Sequence, residues 1–533
     1  MNYRTISTIC FCFTIFSSFA QTKPVKIWDK TFGGNDYDAL RALDQTNDKG
    51  FILAGESWSD QSGDKSQPFI GTYRQLDYWI VKTDSLGNKE WDKTYGNPYT
   101  DYLTCIKQTS DGKYFVGGHS TVDMKLLKLD INGNKLWEKT IGGNDSDNLN
   151  AVDITNDGGF ILVGASASNI GRDKSEANKG FADYWIVKID SSGNKIWDKT
   201  IGGPSNDIPQ AIHQTSDGGY IVGGYSTSGI GGDKSEVSKG NFDYWVVKLD
   251  SNGNKIWDKT FGGADLEYIS SILQTADGGY IVGGFSESGI SGDKSEASRG
   301  GSDNCIIKLD RNGNKVCNKT FGGSGLDLLN DIREVHNGYI LAGISNSRIS
   351  SDKTGAPVGG RDFWLIKTDF SGNKLWDKVF GSGADDAFAR MKLTHDGGAI
   401  VGGSSSSGVW GDKSQPSQGA NDYWILKIKG NISVTTGLTH VQYGKSFVFQ
   451  NYPNPFSENT LIPFELVRSE QVEITIYNQL GQEEGKLRNI FPEGNNKVFL
   501  NEIIENRRLS AGLYYYEVKT ETMSSYNRML KVD

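Results

Sequence analysis

Short runs of alternating apolar and polar residues, punctuated by Asp-Gly and Asn-Gly pairs, recur along most of the chain and predict strands joined by tight turns. One unit shows the pattern in full. Ile208 to Thr215 reads as a first strand, and Ser216-Asp217-Gly218-Gly219 as the turn that follows it. Tyr220 to Tyr225 is a second strand, and a long loop runs from Ser226 to Phe242. Asp243 to Asp250 is a third strand, Ser251-Asn252-Gly253-Asn254 turns it, and Lys255 to Phe261 is the fourth.

The fourth-strand motif, Ile-Trp-Asp-Lys-Thr-Phe-Gly-Gly at Ile27, returns seven times. Its Trp stands at Trp28, Trp91, Trp137, Trp197, Trp257 and Trp376, with Cys317 in the sixth copy, in steps of 63, 46, 60, 60, 60 and 59 residues. Such a period signifies an array of one supersecondary unit. Four antiparallel strands per unit, repeated radially, predict a β-propeller. The chain opens on a lone fourth strand, Val25 to Phe32, and the last unit stops after its third, Asp422 to Lys429. The N-terminal strand is therefore expected to complete the last blade and remove the open sheet edge. An open solenoid would need capping units, and none are visible. The expected fold is all-β: a seven-bladed β-propeller over 21–430, a linker over 431–445, and a small C-terminal β-sandwich over 446–533.

Composition narrows the partners. The chain of 533 residues carries a net charge of −9, which gives no footing for nucleic acid. Arg4, the apolar stretch Thr5 to Phe16 and the small residues before Gln21 form a secretory signal peptide over 1–20, cut between Ala20 and Gln21. No later stretch approaches the roughly 18 apolar residues of a membrane helix, so no membrane span is expected.

Candidate chemistry lies mostly in the long loops. Gly-Asp-Lys-Ser or a close variant appears in six of the seven units, at Asp64, Asp173-Lys174, Asp233-Lys234, Asp293-Lys294, Asp352 and Asp412. Strand alternation puts these loops on the face opposite the short turns. They read either as solvated turns whose Asp caps local amides or as a repeated binding surface for a polymer. Calcium would use such carboxylate and carbonyl oxygens, but the clustered acidic spacing of a calcium repeat is missing, and no cofactor or metal is expected. Asp385-Asp386 and Asp36 to Asp38 depart from the repeat. Paired carboxylates support glycoside hydrolysis, yet no pair at the required separation is legible. Cys305 and Cys317 replace two Trp residues of one unit, and are expected either to bridge across adjacent strands or to fill the space of two indoles as free thiols. The remaining Trp residues are expected to pack between blades.

The tail carries a separate message. Tyr452-Pro453-Asn454-Pro455-Phe456, the Ile-Tyr-Asn-Gln-Leu-Gly-Gln segment with Gly481, the Gly512-Leu-Tyr segment and the basic finish resemble, in order, the type A C-terminal sorting domain of the type IX secretion system in Bacteroidota. That resemblance implies passage through the periplasm, delivery to the cell surface or medium, and the type IX machinery as partner. The repeats, with Gln-Thr-Ser-Asp-Gly-Gly-Tyr-Ile-Val-Gly-Gly and Asp-Tyr-Trp-Val-Val-Lys-Leu-Asp, are similar to secreted propeller proteins of such bacteria, some with an endoglucanase-like label. They are also similar to quinoprotein propellers, but the adjacent cysteines of many quinoprotein dehydrogenases are absent. The function expected is a non-enzymatic binding or adhesion module for a polysaccharide or surface protein. The alternatives are a polysaccharide-active hydrolase and a structural surface protein.

Overall fold

The computed structural model describes residues 23–70, 75–335, 337–430, 432, 451, 454–466, 469–479, 481–492, 494–505, 507–520 and 524–532. The expected signal peptide with Ala20 and Gln21, nearly all of the linker, and Tyr452 and Pro453 lie outside them.

The repeats fold into seven four-stranded antiparallel sheets. In the fourth sheet the strands are Asp207–Gln214, Tyr220–Ser226, Asp243–Leu249 and Lys255–Phe261, hydrogen-bonded in that order. The expected strands were placed within a residue or two of these bounds, because the Asp-Gly and Asn-Gly turns fix both ends of each hairpin. Every first strand carries a bulge after its third residue, as between Pro209 and Ala211. The extra residue sharpens the strand's bend where it faces its counterparts.

The seventh sheet is built from both ends of the array. Val25–Phe32 pairs with Asp422–Lys429, Trp28 lying opposite Lys427 and Phe32 opposite Tyr423. Trp257 lies opposite Lys248 and Phe261 opposite Tyr244 in the same register, so the N-terminal strand takes the position of a fourth strand. Neighbouring sheets touch through their first strands in chain order, and Asp386–Leu393 of the seventh touches Asp38–Gln45 of the first. The seventh-to-first junction repeats contacts found elsewhere. Tyr423 Oη donates to Trp79 O at 2.9 Å, as Tyr184 Oη donates to Trp245 O at 3.2 Å. His395 N donates to Gln45 Oε1 at 3.0 Å, as Ser216 N donates to Gln274 Oε1 at 2.8 Å.

Apolar clusters fill the spaces between sheets. Ile161, Val163 and Tyr184 of the third sheet are buried with Ile212, Val222 and Trp245 of the fourth. The fourth-strand Trp residues bridge the outer part of the same junctions, as expected: Trp197 meets Tyr220 of the next sheet edge-on at 5.9 Å. Gly253, in the neighbouring turn, has φ of +81°, and a Cβ there would fall 2.8 Å from the Trp197 ring. Turn geometry and indole packing thus both require glycine. The seventh sheet has no turn between its last two strands, and Trp376 is buried instead in a cluster that includes Ile432.

The C-terminal unit has a four-stranded sheet, with Glu470–Asn478 between Glu483–Phe491 and Gly512–Lys519 and with Ser524–Lys531 beyond the latter. A two-stranded sheet pairs Leu461–Leu466 with Gly494–Phe499. Alternate residues of both sheets, among them Ile462, Phe464, Ile474, Ile476, Tyr516 and Val518, share one core.

Candidate binding site

The loop residues singled out in the sequence are occupied in holding the loops. Lys234 is 2% exposed. Its ammonium bonds Thr260 Oγ1 and lies 5.7 Å from the Trp245 ring centre. Lys174 bonds Asn178 Oδ1 and Thr200 Oγ1, both at 2.9 Å, and Lys294 bonds Ser288 O and Ser298 Oγ, both at 2.7 Å. Asp233 accepts from Gly202 N at 3.0 Å and from the Lys179 ammonium of the preceding loop. Asp64, Asp173, Asp293, Asp352 and Asp412 accept in the same way from Gly33, Gly142, Gly262, Gly322 and Gly381. Each loop is therefore strapped to the Gly-Gly connection that precedes its sheet.

The second unit lacks this loop and replaces its lysine from another element. Lys125 stands where the third strands of five other sheets carry Trp, and its Nζ lies 3.1 Å from Asp101 Oδ1. The Trp-to-Lys exchange coincides with the 46-residue step, a signal present in the sequence.

The buried lysines face a repeated set of carboxylates. The first residue of every first strand is acidic: Asp38, Asp101, Asp147, Asp207, Glu267, Asp327 and Asp386. All are buried, as are the third-strand residues Asp77, Asp183, Asp243, Asp303, Asp362 and Asp422. In the latter group one oxygen accepts backbone N–H groups, as Asp422 Oδ2 does from Gln418, and Oδ1 has no partner among the described residues. A Cβ on Gly262 would fall 1.8 Å from Asp243 Oδ1 and 2.9 Å from Glu267 Oε2. The Gly-Gly motif is thus a requirement of space: the carboxylate of one sheet and the acid of the next fill the place of a side chain. Burial, reinforced by the neighbouring acid, pushes Asp77, Asp303 and Asp362 up to about 6 and Asp422 up to about 7.

Against this uniformity, one pair of positions varies in every unit. The second residue of the first strand lies opposite the next-to-last residue of the second strand. The pairs are Ala39 with Glu56, Tyr102 with His119, Asn148 with Ala165, Ile208 with Tyr225, Tyr268 with Phe285, Leu328 with Ile344, and Ala387 with Ser404. They sit one residue inward from the acidic residues, at the loop-side end of the inner strands. Tyr268 and Tyr225 have ring centres 4.2 Å apart and hydroxyls 3.0 Å apart, and Phe285 stacks on Tyr268 at 5.3 Å. Tyr102, 43% exposed, stacks on His119 at 5.1 Å. His119 Nδ1 is buried with no hydrogen-bond partner among the described residues, and burial lowers its pKa. In the first unit, Arg41 grips Glu56 Oε2 through Nε at 3.1 Å and Nη2 at 2.9 Å. The sequence reading missed this site because it followed what the repeats share. The signal was the opposite one, two positions where near-identical units differ.

Other expected residues lie elsewhere. Asp385 is paired with Arg361 at 3.0 Å, and Asp386, one of the buried inner acids, accepts from Ser382 N at 2.7 Å and Oγ at 2.6 Å. Of the two alternatives for Cys305 and Cys317, the structure holds the free thiols and not the bridge, and all three described cysteines are free. Antiparallel register puts Cys305 opposite Thr320 and Cys317 opposite Lys308, so the thiols are out of step across the pair. Cys305 instead leaves a small cavity lined by Lys294, Glu267 and Asn318. Asn318 stands where Asp258 receives the Trp245 indole N–H, so donor and acceptor are lost together.

In the C-terminal unit, Phe456 is buried, and its N and O bond Leu530 O at 3.0 Å and Val532 N at 2.9 Å. Asn454 Oδ1 accepts from Leu530 N at 2.9 Å. The described part of the expected motif thus docks on the final strand, while Gly481 turns one hairpin with φ of +76° and Gly512 opens a strand.

Residues 450–532 match the family described as secretion system C-terminal sorting domain. A curated relative, the regulatory protein FlaEY of Caulobacter vibrioides, is 24% identical over 163 residues, 29% of this chain and 17% of its own length. The match therefore spans about one sixth of that relative. Among solved structures, the hydrazine synthase of Kuenenia stuttgartiensis aligns at 10% identity over 69% of this chain and 93% of its own, with a TM-score of 0.42. Sqt1 of Chaetomium thermophilum aligns at 12% identity over 76% of this chain and 100% of its own, with a TM-score of 0.41. Both likenesses are too distant to carry an argument. Among the described residues no helix is long and apolar enough to cross a membrane. The tail is the informative match: it is a C-terminal sorting domain that engages the type IX secretion system, and the protein is secreted or held at the cell surface.

Proposed function

We propose that residues 21–430 form a closed seven-bladed β-propeller, exported from a Bacteroidota cell behind a cleaved signal peptide over 1–20. It acts outside the cell as a non-enzymatic binding module for a glycan or a surface protein. Closure is supported by the N-terminal strand's register in the seventh sheet and by the repeated contacts at the seventh-to-first junction.

One observation carries the binding role. Units that agree in their turns, braces and buried acids diverge at the paired positions on the loop-side end of the inner strands. A rigid repeated scaffold with variation confined to one end is the arrangement of a recognition surface. Hydrolysis finds less support. Glu56, Asp385 and Asp386 are each held by an internal partner, Arg41, Arg361 and Ser382 respectively. The Asp-Lys-Ser loops act as braces in this proposal, so their repetition reflects folding.

The test is the full chain on a biosensor against polysaccharides and bacterial surface proteins, with reducing-end release measured in parallel. Binding without release supports a binding module. Release of sugar ends refutes the non-enzymatic role. Silence in both measurements overturns binding and favours a structural surface protein.

A further inference from the structure

Resting on that binding role, the geometry points to a neutral glycan as the ligand, with its sugar units set against the exposed Tyr102 ring and the partly exposed edges of the Tyr225–Tyr268 pair at the loop-side end of the inner strands. Aromatic rings there are partly exposed although apolar cores are available to bury them, as the buried Tyr184 and Tyr244 of the third strands show. Tyrosine presents an apolar face and a hydroxyl on one rigid side chain, which suits the alternating C–H and O–H surfaces of a hexose. The polar groups around the rings are amides and an imidazole. Gln210 Nε2 reaches Tyr268 Oη at 3.4 Å, Asn148 lies two sheets before Tyr268, and the His119 imidazole stacks on Tyr102.

Charge fixes the class further. Of the fourteen side chains at the paired positions, Glu56 is the only carboxylate, and Arg41 neutralises it with a two-pronged contact. Arg41 lies in the first sheet, and Tyr225 and Tyr268 lie in the fourth and fifth. With the Arg41 charge already countered by Glu56, Arg41 and the paired positions together offer an acidic polymer no net positive charge. A neutral ligand leaves the ion pair intact.

The test compares wild type, the double variant Tyr225→Ala/Tyr268→Ala, Tyr268→Phe and the brace variant Asp233→Asn, all as full chains. The probes are neutral β-glucan, mannan, xylan and galactan, with polygalacturonate as the acidic control. Thermal melts establish that each variant is folded. The proposal expects binding to a neutral glycan, weakened by about tenfold or more in the double variant, largely kept in Tyr268→Phe and unchanged in Asp233→Asn. Glycan binding that survives the double variant but falls in Asp233→Asn would move the site to the loops and overturn this inference, with the binding role intact. Preference for polygalacturonate would overturn the neutral class. Failure on every glycan, with capture of a surface protein, would overturn the inference alone; failure on both would overturn the binding role as well.

Discussion

Replacing Asp422 with Asn should stabilise the protein at alkaline pH. Asp422 sits where the seventh sheet meets the first, with one oxygen on the Gln418 N–H, the other without a partner among the described residues, and the Gly33 backbone against it. The side chain is fully buried. The charged groups facing it are Asp38 of the first sheet, which also disfavours its ionisation, and Lys413 of the long loop, which favours it. Burial and the Asp38 charge raise its pKa from 3.8 to about 7, against the opposing pull of the Gln418 bond and Lys413. The folded state therefore holds a proton that the unfolded chain releases above pH 4. Stability associated with this group is fully present below 3.8, falls as pH rises toward 7, and stays low above it. Three pKa units correspond to about 4 kcal/mol, an upper bound because Asp422 and Asp38 titrate as a pair. Asparagine imitates the protonated acid: its oxygen accepts the backbone N–H groups and its amide donates toward Asp38. Guanidinium unfolding followed by Trp fluorescence from pH 4.5 to 8.5 should show a midpoint that declines with pH in wild type and declines less in Asp422→Asn. Asp77, Asp303 and Asp362 retain their own dependence, so the slope is reduced but not abolished. A variant less stable than wild type at pH 8, or an unchanged slope, would refute the reasoning.

Gly262→Ala should destabilise by about 1–3 kcal/mol, since its methyl would enter the space of Asp243 Oδ1, and a melt at neutral pH checks this. Lys234→Met removes the ammonium that faces Asp207 and Asp243, and should cost about 3 kcal/mol in denaturant unfolding at pH 7, with part regained at pH 5 as those acids protonate. Deleting residues 21–34 leaves Asp422–Lys429 as an open edge and should abolish a single cooperative melt; an unaltered transition would argue against closure. Deleting residues 446–533 should retain the protein in the periplasm, and fractionation that still finds it outside the cell would sink the role given to the tail.

The strands and their count were legible in the sequence because each is fixed locally: the Asp-Gly and Asn-Gly turns set hairpin ends, and β-branched and aromatic residues fill the strands between. The lone strand Val25 to Phe32 announced its place in the last sheet, since its motif matches fourth strands and one is missing there. The tail's identity was equally local, a set of motifs in order. Tertiary structure decided what these residues do. Lys234 and Asp233 look like exposed loop charges in one dimension, but folding inserts the lysine beneath the loop and turns the aspartate onto the neighbouring connection. The acids at Asp38 and Asp422 are 384 residues apart, and only the packing of the seventh sheet against the first brings them to one junction and raises their pKa values. Cys305 and Cys317 of the fifth sheet lie on adjacent strands as expected, yet a register set by hydrogen bonds along the whole pair keeps them apart. Tyr225, Tyr268, Tyr102 and Arg41 are scattered in sequence. Tyr225 and Tyr268 meet because equivalent positions of a repeat become neighbours when successive sheets pack side by side, a relation that local pattern does not contain.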